Sequence, residues 1–272
     1  MSATDYEAEY NNRARVPDHP VIFERWARDA AAYREAACDR STALRYGEGQ
    51  RHVSDLFEPE APRSRATVMF IHGGYWQAFD RSLFSHLARG LNARGIRVAI
   101  PSYDLCPKVG VADIVDEIRR ACLSLADRGP VVVSGHSAGG HLAACMLATD
   151  WSALGAPREL VPAAYAISGL FELKPLVGTS VNRALGLTDA DAERLSPLAW
   201  TPPVGRAIDA VVGAEESAEY RRQSRALAER WGRAGVATRY EEVLGANHFT
   251  VIAPLADPDS AMTRRLAELA AA

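Results

Sequence analysis

A serine lies between two glycines at residues 135–139, where the sequence reads Gly-His-Ser-Ala-Gly. In the G-x-S-x-G pattern such a serine follows a buried strand and begins a helix, and the strand predicted at 131–134, with three successive valines, fits that context. Because the turn is tight, side chains two residues away would collide with neighbouring elements, so Gly135 and Gly139 are required. The pattern predicts Ser137 as a nucleophile near a positive helix N-terminus. The alternative is a packing turn of small residues.

A glycine-containing loop at residues 70–76, Phe-Ile-His-Gly-Gly-Tyr-Trp, also follows a buried strand directly. It is similar to H-G-G-G loops, whose consecutive glycines let backbone N–H groups turn toward a substrate oxygen. We expect the amides of Gly74 and Tyr75, together with Ala138, to form an oxyanion hole. The alternative is an ordinary glycine turn. We expect the ring of His72 to hold this loop by hydrogen bonds.

A histidine and an acid must complete such a site, in the chain order serine, acid, histidine. His248 is the only histidine in the C-terminal third of the chain and follows the strand predicted at 237–243, so we expect it to be the general base. For the acid, Glu216 is preferred, with Glu215 or Asp209 as alternatives. The acid would hold the imidazole in one tautomer and stabilise its charged form. The alternative is a surface histidine with a surface glutamate pair.

The elements that must position these residues alternate between strand and helix. Residues 1–45 are predicted to be helical, 51–57 an edge strand, and 170–203, which contain Pro175 and Pro197, a cap-like insertion. Strands are predicted at 67–71, 97–100, 131–134, 163–167, 207–212 and 237–243, and helices at 81–94, 111–126, 138–149, 219–234 and 260–270. The alternation predicts a mostly parallel, doubly wound sheet in a single α/β domain over 1–272. Together with the G-x-S-x-G turn and the order serine, acid, histidine, it predicts the α/β-hydrolase fold.

Composition excludes several classes of function. The chain has 272 residues, 48% of them hydrophobic, and a net charge of −3, so it can bury a large core and carries no basic run for nucleic acid. It has no apolar stretch of membrane-spanning length. Because the N-terminus is polar and acidic, we expect no secretory signal. We therefore expect a cytoplasmic protein with a small-molecule substrate. A homodimer remains an open option.

Neither a metal nor another cofactor is expected. The four cysteines, Cys38, Cys106, Cys122 and Cys145, match no zinc or redox spacing, so we expect reduced and mostly buried thiols. A zinc cluster of three histidines can be imagined near the predicted site, but its spacing matches no known metal motif. Those histidines are His72, His136 and His141.

Several segments resemble kynurenine formamidase (arylformamidase), and the resemblance covers nearly the whole chain. The segments are Glu-Tyr-Asn-Asn-Arg at 9–13, Val-Pro-Asp-His-Pro at 16–20, His-Gly-Gly-Tyr-Trp at 72–76, Tyr-Asp-Leu-Cys-Pro at 103–107 and Glu-Ser-Ala-Glu-Tyr-Arg-Arg-Gln-Ser at 216–224. The 72–76 loop and Gly-His-Ser-Ala-Gly-Gly-His are shared with hormone-sensitive-lipase-like esterases. The 103–107 and 216–224 segments are more particular to the formamidases.

The resemblance implies an activity and assigns the site residues. The family's nucleophile falls on Ser137, its histidine on His248 and its acid, often aspartate, on Glu216. The implied reaction is hydrolysis of an aryl formamide such as N-formyl-L-kynurenine to the free amine and formate. A carboxylesterase for small short-chain esters is the alternative. A catalytically inactive hydrolase fold used for binding would need a broken triad or oxyanion loop, and neither is visible.

Aromatic residues next to the predicted catalytic atoms suggest a substrate pocket. We expect Trp76, Tyr75 and Phe249 to line it, because each adjoins the oxyanion loop or the base in sequence. For Trp76 the alternative is packing of the loop onto the core. We expect the 170–203 insertion to cover the pocket.

Overall fold

The computed structural model describes residues 4–271 and contains one eight-stranded sheet. The strand order is β1-β2-β4-β3-β5-β6-β7-β8, with antiparallel pairing from β1 to β2 and from β2 to β4, and parallel pairing elsewhere. The strands are β1 (Ser41–Arg45), β2 (Val53–Phe57), β3 (Thr67–Ile71), β4 (Arg97–Pro101), β5 (Val131–His136), β6 (Ala163–Ile167), β7 (Ala207–Gly213) and β8 (Ala237–Val243). The predicted α/β-hydrolase fold, with its mostly parallel sheet, is confirmed.

Helices cover both faces of the sheet. They are α1 (Tyr6–Tyr10), α2 (Asn12–Arg15), α3 (His19–Ala36), α4 (Ala88–Ala93), α5 (Val111–Leu123), α6 (Ala138–Ala148), α7 (Asn182–Leu185), α8 (Asp189–Arg194), α9 (Ala218–Arg233) and α10 (Ala261–Leu269). Over residues 4–271, none of the helices combines the length and the apolar character that crossing a membrane would need.

Two cores lie on opposite faces of the sheet because successive side chains of a strand point to opposite sides. Met69 and Ile71 of β3 belong to one core, which α5, α6 and α9 cover. Val68 and Phe70 of the same strand belong to the other core, which α3, α4 and α10 cover. Central strands buried on both faces therefore read as continuous apolar runs, and this is why β3 and β5 are recognisable from sequence.

The N-terminal prediction needs correction. Helices end at Ala36, and Ser41–Arg45 forms β1 instead of continuing the predicted helical segment to residue 45. β1 pairs with Val53–Phe57, so β2 is an inner strand and not the expected edge. The side chains of β1 are only partly buried or exposed. Its pairing with β2 is a non-local contact that hydrophobic periodicity does not report.

Of two further segments, one differs from its prediction and one agrees with it. Of the helix predicted at 81–94, only Ala88–Ala93 is α-helical, and two short 3₁₀ turns precede it. The 170–203 segment contains only the short helices α7 and α8 with 3₁₀ turns and no strand among its residues, as expected of an insertion between β6 and β7.

Candidate active site

Ser137 lies on a sharp turn between β5 and α6. Its φ of 58° and ψ of −118° place a non-glycine residue in a strained backbone region. The strain persists because the neighbouring backbones pack tightly: a Cβ added to Gly139 would lie 1.9 Å from the carbonyl oxygen of Ile71, and one added to Gly135 would lie 2.1 Å from that of Gly139. Both glycines of the motif are therefore sterically required. The turn places Ser137 at the carboxyl end of the sheet.

The loop after β3 turns its backbone toward Ser137. Gly74, Tyr75 and Trp76 have φ values of 104°, 50° and 55°, a run of three positive values. Over residues 4–271, the amides of Gly74, Tyr75 and Ala138 donate to no protein acceptor. Gly73 lies directly against the serine, since a Cβ there would meet the Ser137 side chain at 3.0 Å. The loop thus offers unengaged N–H groups next to the serine.

The 103–107 segment holds this loop from behind. The Tyr103 hydroxyl donates to the carbonyl oxygen of His72 at 2.9 Å, and the Cys106 amide donates to that of Trp76 at 2.8 Å. Nδ1 of His72 bonds to the carbonyl oxygen of Gly73 at 2.8 Å, and burial lowers the pKa of His72 to about 4. The ring of His72 is therefore neutral near pH 7 and holds the loop, in keeping with its expected structural role.

A buried charge cluster that the sequence did not suggest anchors the 103–107 segment. The Asp104 amide donates to Oε2 of Glu117 at 2.7 Å, while Nε2 of His52 lies 3.2 Å from Oε1 of Glu117. The ligand atoms of these three residues lie within 4.8 Å of one another. However, the Gly49 amide donates to Nδ1 of His52, which leaves the proton on Nε2, and the ammonium of Lys108 lies 3.1 Å from Asp104. A protonated Nε2 cannot act as a metal ligand, and Lys108 already pairs with Asp104, so the three side chains are poorly suited to binding a metal.

His248 and Glu216 form a buried pair. Nδ1 of His248 lies 2.6 Å from Oε2 of Glu216. The other oxygen, Oε1, accepts hydrogen bonds from the Gly213 amide at 2.7 Å and from the Ser168 hydroxyl. The longer arm of glutamate is accommodated because the turn after β7 folds it back onto Gly213. Both carboxylate oxygens are therefore engaged, and one of them holds the imidazole.

The other two acids predicted for this position are exposed or already paired. Glu215 is exposed. Asp209 forms a bidentate ion pair with Arg265, in which Nε and Nη2 of the arginine lie 2.7 and 3.1 Å from the two carboxylate oxygens. Among the three carboxylates predicted from sequence, Glu216 is the one that the fold brings to His248.

The remaining histidines near the site bond to separate carbonyl groups. Nε2 of His136 bonds to the carbonyl oxygen of His248, and Nε2 of His141 to that of Leu195, each at 2.8 Å. Burial is the main cause that lowers the pKa of His136 well below its ordinary value. A neutral His136 donates to the backbone of His248 and thus helps to hold the loop that carries it.

One cavity of about 450 Å³ contains both Ser137 and His248 in its walls. Tyr220 lies behind them, with its ring centroid 4.6 Å from that of His248. Burial raises the pKa of Tyr220, and the nearby Ser137 hydroxyl is among the influences that oppose this rise. Over the described residues, no direct hydrogen bond joins Ser137 to His248. The two side chains nevertheless share one cavity and one neighbour.

One wall of the cavity is aromatic. Phe23 packs edge-to-face against Phe249 and Phe79, with centroid separations of 5.0 and 5.2 Å. Tyr75 and Phe249 line the cavity as predicted. The prediction that Trp76 lines it is wrong, because this side chain is fully buried and packs edge-on against His141 at 5.1 Å. The alternative reading, in which Trp76 fastens the loop to the core, is the correct one.

The N-terminal helices contribute walls that sequence reasoning missed. Tyr10, Asn12, Phe23 and Trp26 all line the cavity. The spacing of Ile22, Trp26 and Ala30 does reveal an apolar helix face, but periodicity does not say what that face packs against.

Part of the insertion closes the same cavity. Ser180 and Val181 lie in its wall. The carboxylate of Glu7 accepts hydrogen bonds from the amide and hydroxyl of Ser180, at 2.7 and 2.6 Å. The N-terminal helices and the insertion therefore meet above the site.

Comparison with known proteins places the chain in a family. Residues 68–184 match a family model described as an alpha/beta hydrolase fold. Kynurenine formamidase of Salmo salar is 31% identical over 82% of this chain and 80% of its own length, and that of Drosophila melanogaster is 31% identical over 82% and 79%. A Silicibacter sp. tm1040 protein, provisionally named a thioesterase, superimposes with a TM-score of 0.84 at 37% identity over 97% of this chain and 100% of that one. The chain is a hydrolase, and it belongs to the kynurenine formamidase family of α/β-hydrolases.

Proposed function

We propose that this enzyme hydrolyses an aryl formamide, such as N-formyl-L-kynurenine, to the free amine and formate. The observation that carries the proposal is the shared cavity of Ser137 and His248, with Glu216 on the far side of the imidazole, in a chain similar to named kynurenine formamidases. An aromatic wall beside a nucleophile suits an aryl substrate.

The proposed reaction is a two-step acyl transfer. His248 takes the proton of Ser137 as its oxygen attacks the formyl carbon, and the amides of Gly74, Tyr75 and Ala138 stabilise the oxyanion. His248 then passes this proton to the leaving nitrogen, so that the C–N bond breaks and a formyl ester remains on the serine. Water, deprotonated by His248, attacks this ester, and the proton returns to the serine oxygen as formate leaves.

Glu216 supports both proton transfers in this scheme. Its Oε2 accepts the Nδ1 proton of His248, which leaves Nε2 to exchange protons with Ser137 and the leaving group. The anion also stabilises the imidazolium that forms in each step. Since its other oxygen is held by Gly213 and Ser168, the carboxylate keeps this orientation without reorganisation.

Charged residues at the rim of the cavity favour a substrate that carries an amino-acid group. Arg13 and Glu7 both line the rim. Over residues 4–271, Arg13 has no carboxylate partner, while hydrogen bonds from Ser180 lower the pKa of Glu7 and keep it ionised. One cation and one anion thus face a ligand that, in kynurenine derivatives, bears an ammonium and a carboxylate.

Hydrolysis of small short-chain esters is the second candidate. The same triad and oxyanion loop would cleave esters, and a cavity of about 450 Å³ exceeds the space that a formyl group needs. Acyl-chain preference therefore separates the two functions.

Steady-state kinetics on N-formyl-L-kynurenine and on p-nitrophenyl acetate and butyrate test the proposal. A formamidase should strongly prefer the formyl substrate, because its acyl site need hold only a hydrogen. Comparable or faster turnover of the acetyl and butyryl esters would contradict it. A fluorophosphonate should label Ser137 with one equivalent, and Ser137→Ala should abolish both labelling and turnover. An active Ser137→Ala enzyme would remove the assignment of the nucleophile.

We also propose that the enzyme acts in the cytoplasm. Cys106, Cys122 and Cys145 are buried free thiols and Cys38 is an exposed one, a pattern typical of reducing compartments. Cell fractionation followed by thiol titration tests this proposal. Recovery in an oxidising compartment would contradict it.

A further inference from the structure

Asn12 is a buried polar residue in the wall of the catalytic cavity to which the proposed mechanism gives no role. It begins α2 in the N-terminal segment and is 6% exposed. Its amide nitrogen donates to the hydroxyl oxygens of Tyr220, at 3.0 Å, and Tyr75, at 3.4 Å. Tyr220 in turn packs on the ring of His248. Asn12 is thus linked to His248 through a single intervening side chain, that of Tyr220.

The directions of these hydrogen bonds follow from their partners. The Tyr75 hydroxyl donates to the carbonyl oxygen of Tyr10 at 2.7 Å, because a carbonyl can only accept. The hydroxyl oxygens of Tyr75 and Tyr220 are 2.6 Å apart, so the proton between them must come from Tyr220. With that proton engaged, Tyr220 can only accept from Asn12. The NH₂ end of Asn12 therefore faces the tyrosines.

The other end of the Asn12 amide is left as an acceptor. Over residues 4–271, Oδ1 of Asn12 has no hydrogen-bond donor, although the residue is more than nine-tenths buried. It is also not among the buried polar atoms sealed from solvent without a partner. Since Asn12 lines the cavity, its carbonyl oxygen is available to a molecule bound there.

A scissile formamide requires an acceptor of this kind, whereas an ester does not. In the tetrahedral intermediate, the lone pair of the leaving nitrogen must face His248 to receive a proton. The N–H bond of that nitrogen then points away from the imidazole. An acceptor in that direction stabilises the reactive arrangement, and leaving the N–H unpaired in a buried site is unfavourable. The leaving oxygen of an ester carries no hydrogen, so such an acceptor does not stabilise ester cleavage.

We propose that the carbonyl oxygen of Asn12 accepts the N–H of the scissile formamide and thereby gives the enzyme its preference for formamides over formate esters. The inference rests on the proposed function. It assigns Asn12 as a specificity-determining residue that contacts the leaving group. Tyr220 and Tyr75 are positioning residues, since they act by fixing the orientation of the Asn12 amide.

The test uses two substrates that differ only at the leaving atom: formanilide and phenyl formate. In Asn12→Ala, kcat/KM for formanilide should fall roughly tenfold, the effect of one hydrogen bond, while the value for phenyl formate should change far less. Asn12→Asp retains an acceptor oxygen and should keep the ratio of the two kcat/KM values near that of the wild type, even if both values fall. Asn12→Ser, which also lacks the carbonyl oxygen, replaces Asn12→Ala if the alanine variant does not fold.

The outcomes separate this inference from the proposed function. Equal losses on both substrates in Asn12→Ala or Asn12→Ser would show a merely structural role and overturn the inference alone. A collapsed ratio in Asn12→Asp would overturn it too. A wild-type enzyme that cleaves phenyl formate but no aryl formamide would instead overturn the proposed function.

Discussion

Nδ1 of His248 lies 2.6 Å from Oε2 of Glu216, while the other oxygen of that carboxylate accepts the amide of Gly213 at 2.7 Å. Glu216 is thus held by its own turn at the end of β7, and it holds the imidazole of His248 in turn. This arrangement explains how glutamate can occupy a position often filled by the shorter aspartate.

Glu216→Gln should lower kcat by a factor on the order of 10²–10⁴, because the neutral amide neither enforces the tautomer of His248 nor stabilises its charged form. Glu215→Gln is the matched control, since this neighbour is exposed and should leave kcat unchanged. Steady-state kinetics with N-formyl-L-kynurenine provide the measurement. A larger loss in Glu215→Gln would transfer the role of the acid to that residue.

Gly139→Ala should destabilise the fold by about 3 kcal/mol, the upper end of the usual cost of overpacking, since the new Cβ meets the carbonyl oxygen of Ile71. That contact would be 1.9 Å, and its partner is backbone that cannot move aside easily. Urea unfolding gives the free energy. Gly178→Ala is the control because a Cβ there has no atom within 4 Å. Similar unfolding free energies for both variants would contradict the steric account.

Arg13→Gln should raise KM roughly two- to fivefold for an aryl formamide that carries a carboxylate, in line with an exposed ion pair. KM for formanilide, which has no carboxylate, should not change. Arg15→Gln is the control, because Arg15 is an exposed arginine of the same helix. Added salt should reduce the difference between wild type and Arg13→Gln. An equal rise in KM on both substrates would argue against carboxylate binding.

The free energy of unfolding should fall as the pH drops from about 7 to about 5, partly because of His86. Burial lowers the pKa of His86 to about 4 from 6.5. Between these pH values His86 is protonated in the unfolded chain but stays neutral in the folded protein. The stability that depends on a neutral His86 is therefore complete above the unfolded-state pKa, and it is lost as the pH falls toward the folded-state pKa. His86→Leu should therefore show a shallower pH dependence in urea unfolding. An unchanged slope would show that His86 does not contribute.

Much of the site was predictable because its signals are local. Gly135 and Gly139 around the serine, the glycine loop after β3 and the order of serine, acid and histidine can each be read from a few neighbouring residues and the strand before them. The choice among Glu216, Glu215 and Asp209 was not local. It depended on which carboxylate turns inward and which is already paired with Arg265.

The walls of the cavity depended on contacts distant in sequence. The Tyr10 hydroxyl bonds to Glu219, 209 positions away, and Asn12 to Tyr220, 208 positions away. Periodicity shows that a helix has an apolar face, but many surfaces could cover that face equally well. The same limit applies to Trp76, whose type suits both a pocket wall and a core.

The sequence by itself determined the fold class and predicted Ser137 and His248 as nucleophile and base, because tight turns and buried parallel strands leave few residue types permissible at each position. Only the tertiary structure decided the acid, the burial of Trp76 and the N-terminal contribution to the cavity. Those features depend on which distant surfaces meet, and that is settled by the packing of the whole chain.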